Sequence, residues 1–165
     1  MKKRFLLILI IILCVLCLFA CNRVYKNDVD EEFGFSKEDF TIVKEYDDHG
    51  GFLGDGIYYA FLDCENNQDK INEIIDNYNE LPLPENLSLI LYGGDKGNTR
   101  YGSYFKPSDG EAFPTVEAGY YMVLDRNNGK IREITSDIIY HSSYNFTIAI
   151  YDSENKMMYY FEYDS

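Results

Sequence analysis

Residues 47–56, with the sequence DDHGGFLGDG, bring together side chains that could do chemistry. The polar side chains of this segment are Asp47, Asp48, His49 and Asp55. Oxygen ligands on a glycine-rich backbone could hold a calcium ion, and we name these four residues as the candidate metal ligands. The spacing matches neither the nonapeptide calcium repeat, which needs glycine where Leu53 stands, nor the helix–loop–helix site, which needs a distal glutamate. A tight hairpin with solvated acids is the alternative.

A second candidate site lies in residues 93–118, a long segment that we expect to be irregular. Its candidate ligand-binding residues are Tyr101, Tyr104 and Phe105. Irregular segments of more than about 12–15 residues in compact domains are often functional. Exposed rings beside glycine, asparagine and aspartate could stack on a glycan or a peptide. The alternative is that the aromatic side chains hold this segment against the rest of the domain.

Few residues in the sequence suit nucleophilic or metal-assisted catalysis. Only His49 and His141 are available as bases that titrate near neutral pH. Cys64 closes a predicted buried strand, where a thiol is usually inert. Beyond the N-terminal segment the sequence has no Gly-x-Ser-x-Gly, His-Glu-x-x-His or Cys-x-x-Cys motif. We therefore predict a non-catalytic protein, with a glycan hydrolase that uses paired carboxylates as the alternative.

The N-terminus has the organisation of an export signal. Met1 to Arg4 form a short basic region, and residues 5–20 are apolar apart from Cys14 and Cys17. These sixteen residues would span roughly 24 Å as a helix, less than the hydrocarbon core of about 30 Å, which favours a signal peptide over a transmembrane anchor.

The signal ends in Leu18-Phe19-Ala20-Cys21. This ending resembles the lipobox of bacterial lipoprotein precursors. The resemblance implies that the Cys21 thiol carries a diacylglyceryl group, that cleavage occurs just before it, and that the protein is anchored at the extracytoplasmic face of the cell membrane. Two or more acyl chains anchor a protein stably, at about 0.8 kcal/mol per buried methylene. Lipidation would leave Cys64 as the only free cysteine, so we expect no disulfide.

The charge balance restricts the class of partner. The chain has 15 basic and 28 acidic residues, and removal of Lys2, Lys3 and Arg4 with the signal changes the net charge from −13 to −16. A domain this acidic does not attract nucleic acid, whose binding depends on neutralising phosphates. The balance favours cationic proteins or peptides and divalent cations. A calcium-stabilised surface adhesion module is a further alternative.

The elements that must position these residues are mainly strands. We predict strands over residues 39–46, 56–63, 87–92, 119–125, 145–151 and 157–163, the last two as a hairpin. Ile71, Ile74, Ile75 and Tyr78 have the spacing of one helical face, which predicts an amphipathic helix over 68–79 that ends before Pro82. Asn66 and Asp69 resemble a capping pair for this helix. Residues 131–141 fit either a helix or a strand.

These elements predict an α+β fold, in which a mostly antiparallel sheet of about six strands has one amphipathic helix packed on one face. The expected organisation is a signal peptide over 1–20, a lipidated flexible tether over 21–36, with some order near Phe33 and Phe35, and a single acidic domain over 37–165. The segments 49–56, 79–83 and 146–152 are similar to small, uncharacterised secreted or lipid-anchored proteins of Gram-positive anaerobes. This resemblance implies a shared fold and no particular chemistry.

Overall fold

A computed structural model describes residues 32–50, 54–127, 132–133 and 143–165, with only the backbone at 132–133. The predicted signal peptide, Cys21 and most of the predicted tether lie outside the described residues. So do His141 and the rest of the ambiguous segment 131–141, apart from a short strand at residues 132–133.

Seven of the described strands form one sheet, in which every pair is antiparallel. The strands are β1 (Thr41–Asp47), β2 (Gly56–Asp63), β3 (Asn79–Glu80), β4 (Gly94–Lys96), β5 (Thr99–Tyr101), β6 (Gly119–Asp125), β7 (Arg132–Glu133), β8 (Phe146–Asp152) and β9 (Met157–Asp164). The order across the sheet is β1-β2-β9-β8-β6-β3, and β7 also pairs with β6. A separate hairpin is formed by β4 and β5.

Both faces of the sheet are covered, because the central strands are apolar on alternating sides. Ile57, Tyr59 and Phe61 of β2 belong to one buried cluster, which includes Leu87 and Ile90 of helix α2 (Glu85–Tyr92). The residues of β2 that alternate with these three belong to a second buried cluster, on the other face of the sheet. Helix α1 (Gln68–Ile75) contributes to this second cluster. The predicted α+β class with a mostly antiparallel sheet is confirmed, and one helix packs on each face.

The prediction of a strand over residues 87–92 is wrong. These residues form most of α2, in which Leu87, Leu89, Ile90 and Leu91 are all buried. A short helix that is apolar on nearly every side has no helical period in its sequence, so it resembles a buried strand. Pro84 immediately precedes this helix, at a position where proline is tolerated.

Helix α1 ends earlier than predicted and has a different cap. It ends at Ile75, and the following residues form a turn that leads into β3, which pairs with Tyr120 and Tyr121 of β6. The predicted Asn66–Asp69 cap is wrong, because Asn66 lies inside a 3-10 helix and the N-cap residue makes no side-chain hydrogen bond. Because β3 pairs with β6, helix α1 ends before the chain reaches Pro82.

The folded part begins before residue 37. Phe33 and Phe35 are 1% and 3% exposed, and both rings contact Tyr160 of β9. Ser36 caps the following 3-10 helix, accepting a hydrogen bond from the Glu38 backbone. The expectation of order near these two phenylalanines therefore matches the structure, and they belong to the core.

Candidate functional site: a charged basin at one end of the sheet

Five long strands begin or end at the same end of the sheet. Gly56 at the start of β2 lies opposite Asp164 at the end of β9, and Asp47 at the end of β1 lies opposite Tyr58. An open basin with a volume of about 850 Å³ lies here. Its charged lining residues are Lys37, Asp47, His49, Asp55, Arg126, Glu162 and Asp164. Antiparallel pairing thus brings together side chains that are far apart in the sequence.

His49 bridges the β1–β2 connection and the end of β9. Its Nδ1 lies 2.8 Å from Asp47 Oδ1, and its Nε2 lies 3.1 Å from Asp164 Oδ2. A neutral imidazole has one N–H and can donate to only one of these carboxylates, whereas the protonated ring donates to both. Gly56 permits this arrangement, because a Cβ at that position would lie 2.7 Å from the His49 Cα.

Arg126, which follows β6, holds two carboxylates of β9. Its Nη2 lies 3.0 Å from Asp164 Oδ1 and 3.9 Å from Glu162 Oε2, and it donates a hydrogen bond of 3.3 Å to the Phe146 carbonyl. Because both carboxylate oxygens contact the same nitrogen, they cannot be more than about 7 Å apart. The buried Arg126 Nε has no hydrogen-bond partner among the described residues.

Two tyrosine rings hold Lys37 beside the basin. Its Nζ lies 4.0 Å from the centroid of the Tyr58 ring and 5.4 Å from that of Tyr160, within the range of a cation–π interaction. Tyr58 donates a hydrogen bond to Glu45, and Tyr160 donates one of 2.6 Å to Glu162 Oε1. With four carboxylates and two permanent cations in the lining, the basin carries a net negative charge when His49 is neutral.

The pKa of Asp47 responds to this arrangement. Partial burial of its carboxylate acts to raise the pKa, but hydrogen bonds from the backbone and ring of His49 lower it by more. The pKa of Asp47 is therefore below its ordinary value of 3.8. A carboxylate that stays ionised in mildly acidic solution suits a site for a cation.

The four candidate metal ligands separate into two groups. Asp47 and His49 belong to the hydrogen-bonded chain described above, and Asp55 is an exposed part of the basin lining. Asp48 accepts hydrogen bonds from the Ile57 backbone at 2.7 Å and from the Tyr46 hydroxyl at 3.1 Å, which stabilise the hairpin. Within residues 32–50, 54–127 and 143–165, no three His, Cys, Asp or Glu side chains converge as a metal site would require. Residues 51–53 of this connection lie outside the described part, and the calcium site stays a prediction.

The three candidate aromatic residues pack into or against the core. Phe105 is 4% exposed and lies 5.1 Å from the rings of both Tyr59 and Phe161. Tyr104 packs on Tyr144 at 5.0 Å, and burial raises the pKa of its hydroxyl to about 12. Tyr101 is half-buried in β5, so this geometry supports the alternative in which the rings hold residues 102–118 against the sheet.

Cys64 follows β2 and is fully buried, and its thiol donates a hydrogen bond of 3.5 Å to the Leu62 carbonyl. Burial raises the pKa of this thiol to about 12. Nucleophilic chemistry needs the thiolate, which such a pKa keeps scarce near neutral pH.

The sequence interpretation did not identify Arg126, Glu162 or Asp164 as site residues. A signal for two of them was present, because Glu162 and Asp164 are two positions apart in a strand and must point to the same face. Their proximity to Arg126 depends on the pairing of β9 with β8 and of β8 with β6, which no local pattern reports.

Comparisons of the chain with models of protein families, with curated proteins and with solved structures find no match. In the part of the chain that the structure describes, no helix has the length and apolar character needed to cross a membrane.

Proposed function

We propose that this chain is a lipid-anchored, non-catalytic protein of the cell envelope whose acidic domain binds a cationic protein or peptide on the extracytoplasmic side. The observation that carries the proposal is the basin with four carboxylates, in a chain that has 28 acidic residues. The lipobox ending in Cys21 supports the anchored location.

The basin suits a partner with several positive charges. A single exposed ion pair contributes only about 0.2–1 kcal/mol, so one lysine would bind weakly. Asp47, Asp55, Glu162 and Asp164 can act together on one polycation. Arg126 is paired with Asp164, and Lys37 lies over the Tyr58 ring, so the cationic groups of a partner must fit the remaining spaces.

Binding in the basin can be tested with spermidine, a small polyamine, by calorimetry at low and high salt. We expect Asp47→Asn combined with Asp55→Asn to weaken binding several-fold, and high salt to weaken binding to the wild type. Asp95→Asn is the control, because Asp95 is an exposed acid on β4, which does not line the basin. Salt-independent binding, or an equal loss in the control, would contradict the proposal. A pull-down from envelope extract at the same two salt concentrations would then identify the partner.

The anchor has a separate test in intact mass spectrometry of membrane-extracted protein. We expect the mature chain to begin at Cys21 with a diacylglyceryl adduct. It should also partition into the detergent phase when a detergent solution is separated from the aqueous phase. Cys21→Ser should abolish both results, whereas Cys17→Ser, inside the apolar run, should change neither. A native chain that begins at Met1 would refute the anchor.

A glycan hydrolase is the second candidate, since the Glu162 and Asp164 oxygens that contact Arg126 Nη2 are at most about 7 Å apart, and catalytic carboxylate pairs are separated by no more than about 9.5 Å. The Arg126 guanidinium contacts both carboxylates, however, and so takes up space that a scissile glycosidic bond would need. Release of reducing ends from purified cell-wall glycan, lost in Glu162→Gln, would favour the hydrolase. The calcium-stabilised adhesion module instead predicts that a chelator lowers the melting temperature.

A further inference from the structure

The β1 strand forms an edge of the sheet. Within the described residues it pairs with β2 on one side and has no strand on the other. Its two apolar residues near the start, Ile42 and Val43, are 43% and 61% exposed. The register shifts between Ile42 and Lys44, so Val43 has no opposite residue in β2, and pairing is regular from Lys44 to Asp47.

The backbone of β1 has a defined outer row of hydrogen-bonding groups. The Asp48 N–H donates to the Ile57 carbonyl at 3.1 Å, and in an antiparallel pair alternate residues face the partner. Lys44, opposite Phe61, and Tyr46, opposite Tyr59, therefore face β2. The N–H and C=O groups of Glu45 and Asp47 face away from the sheet.

The side chains beside this outer row are acidic. Glu45 and Asp47 are both exposed, and they lie on the same face of the sheet as Tyr58, which lines the basin. On the opposite face, Lys44 is already engaged, with its Nζ 2.6 Å from Glu111 and 3.4 Å from Asp109. A strand added here would meet negative charge directly opposite its own side chains.

We propose that the β1 edge is the docking site for an extended basic peptide, which adds as an antiparallel strand and bonds to the backbone of Glu45 and Asp47. This inference rests on the proposed cation-binding function and names its partner. Opposite charges on directly opposed residues stabilise antiparallel pairs, and like charges destabilise them. The peptide therefore has lysine or arginine at alternate positions, and a second acidic copy of this chain is disfavoured. Because Asp47 also lines the basin, the end of such a peptide reaches it.

Peptide chemistry provides the most direct test. The probe is a capped octapeptide that alternates lysine with valine, prepared in two isomers N-methylated either on every lysine or on every valine. In antiparallel addition the lysines opposite Glu45 and Asp47 donate their N–H groups to β1, so lysine methylation should weaken binding at least tenfold relative to valine methylation. The two isomers have the same charge and composition. Equal binding of the two, or the reverse order, overturns the proposal.

A protein variant provides an independent test. Glu45→Pro removes an outward N–H and leaves the β1–β2 hydrogen bonds in place, because proline is tolerated on the open side of an edge strand. Glu45→Gln is the matched control, since it removes the same charge and keeps the N–H. The unmethylated octapeptide should bind Glu45→Pro at least tenfold more weakly than Glu45→Gln, and equal affinities would overturn the proposal.

Spermidine separates failure of this inference from failure of the proposed function, because it is cationic and has no peptide backbone. It should bind Glu45→Pro and Glu45→Gln equally, which also shows that the proline variant is folded. If spermidine binds the wild type but the octapeptide isomers bind equally, the edge is not used and the acidic basin remains the site. If neither probe binds the wild type, both proposals fail.

Discussion

At the scale of single residues, the basin depends on one histidine placed between two carboxylates. His49 contacts Asp47 and Asp164 through its two ring nitrogens, and Arg126 contacts Asp164 from the other side. These contacts join the β1–β2 connection, the end of β9 and the exit of β6. The carboxylates thereby have defined positions, and a bound cation would not need to order them.

The lowered pKa of Asp47 makes a prediction about stability and pH. Since the pKa is lower in the folded state than its ordinary value of 3.8, ionised Asp47 stabilises the fold above that value. The stabilisation disappears as the pH falls through the folded-state pKa. We expect Asp47→Asn to lower the free energy of unfolding by less than about 1 kcal/mol at pH 7, because the carboxylate is largely exposed.

The measurement is urea unfolding of the wild type and Asp47→Asn over a range of pH. The difference between them should shrink toward zero as the pH falls from 3.8 through the folded-state pKa of Asp47. Asp95→Asn, an exposed aspartate outside this chain of contacts, should differ little from the wild type at any pH. A difference for Asp47→Asn that persists undiminished well below pH 3.8 would contradict the assignment.

At the scale of elements, the close approach of β6 and β8 requires a glycine. Gly119 begins β6 opposite Asp152, and its carbonyl accepts a hydrogen bond of 2.9 Å from the Leu81 backbone beside β3. A Cβ at Gly119 would lie 1.8 Å from the Tyr151 carbonyl oxygen. No side-chain rotation relieves a clash with the backbone of a neighbouring strand.

We therefore expect Gly119→Ala to lower the free energy of unfolding by more than about 3 kcal/mol, in the range typical of severe backbone clashes in a core. Gly97→Ala is the control, because Gly97 has a φ of +61° and no atom within 4 Å of an added Cβ. It should cost only about 1–2 kcal/mol, from the left-handed backbone conformation. Similar losses in the two variants, measured by denaturant unfolding, would show that packing at Gly119 is not the cause.

At the scale of the whole molecule, the excess of acids acts against compactness. The chain has a net charge of −13, or −16 without its three N-terminal basic residues. The excess carboxylates repel one another most strongly in the folded state, where they are close together. Raising the ionic strength from about 0.01 M to about 0.15 M shortens the Debye length from about 30 Å to about 8 Å. Screening should weaken the total repulsion more than it weakens the few ion pairs.

Added sodium chloride is therefore expected to raise the melting temperature of the purified protein, by roughly 2–4 °C for each kcal/mol of repulsion relieved. Glu65→Gln, Asp69→Asn and Glu73→Gln combined should reduce this rise, since all three acids are exposed on and near α1. Calorimetry in a non-ionic detergent would measure both. A melting temperature that falls with salt would mean that ion pairs dominate.

The sequence alone determined the elements whose pattern is local. The strand over Gly56–Asp63 has apolar residues on both faces, and the hairpin of β8 and β9 has alternating residues around a polar turn, so both were predictable. The α+β class follows from these strands and from the apolar stripe of α1. Within the site, Asp47 and His49 were identifiable because they are close in sequence and chemically distinctive.

Tertiary structure decided what depends on distant partners. Residues 87–92 form a helix because α2 is buried against the sheet, where an apolar run has no period to reveal its conformation. Phe105 is a core residue because the segment after β5 folds back over Phe161. Arg126 meets Glu162 and Asp164 because strand order, set by the packing of the whole sheet, joins the ends of β6 and β9.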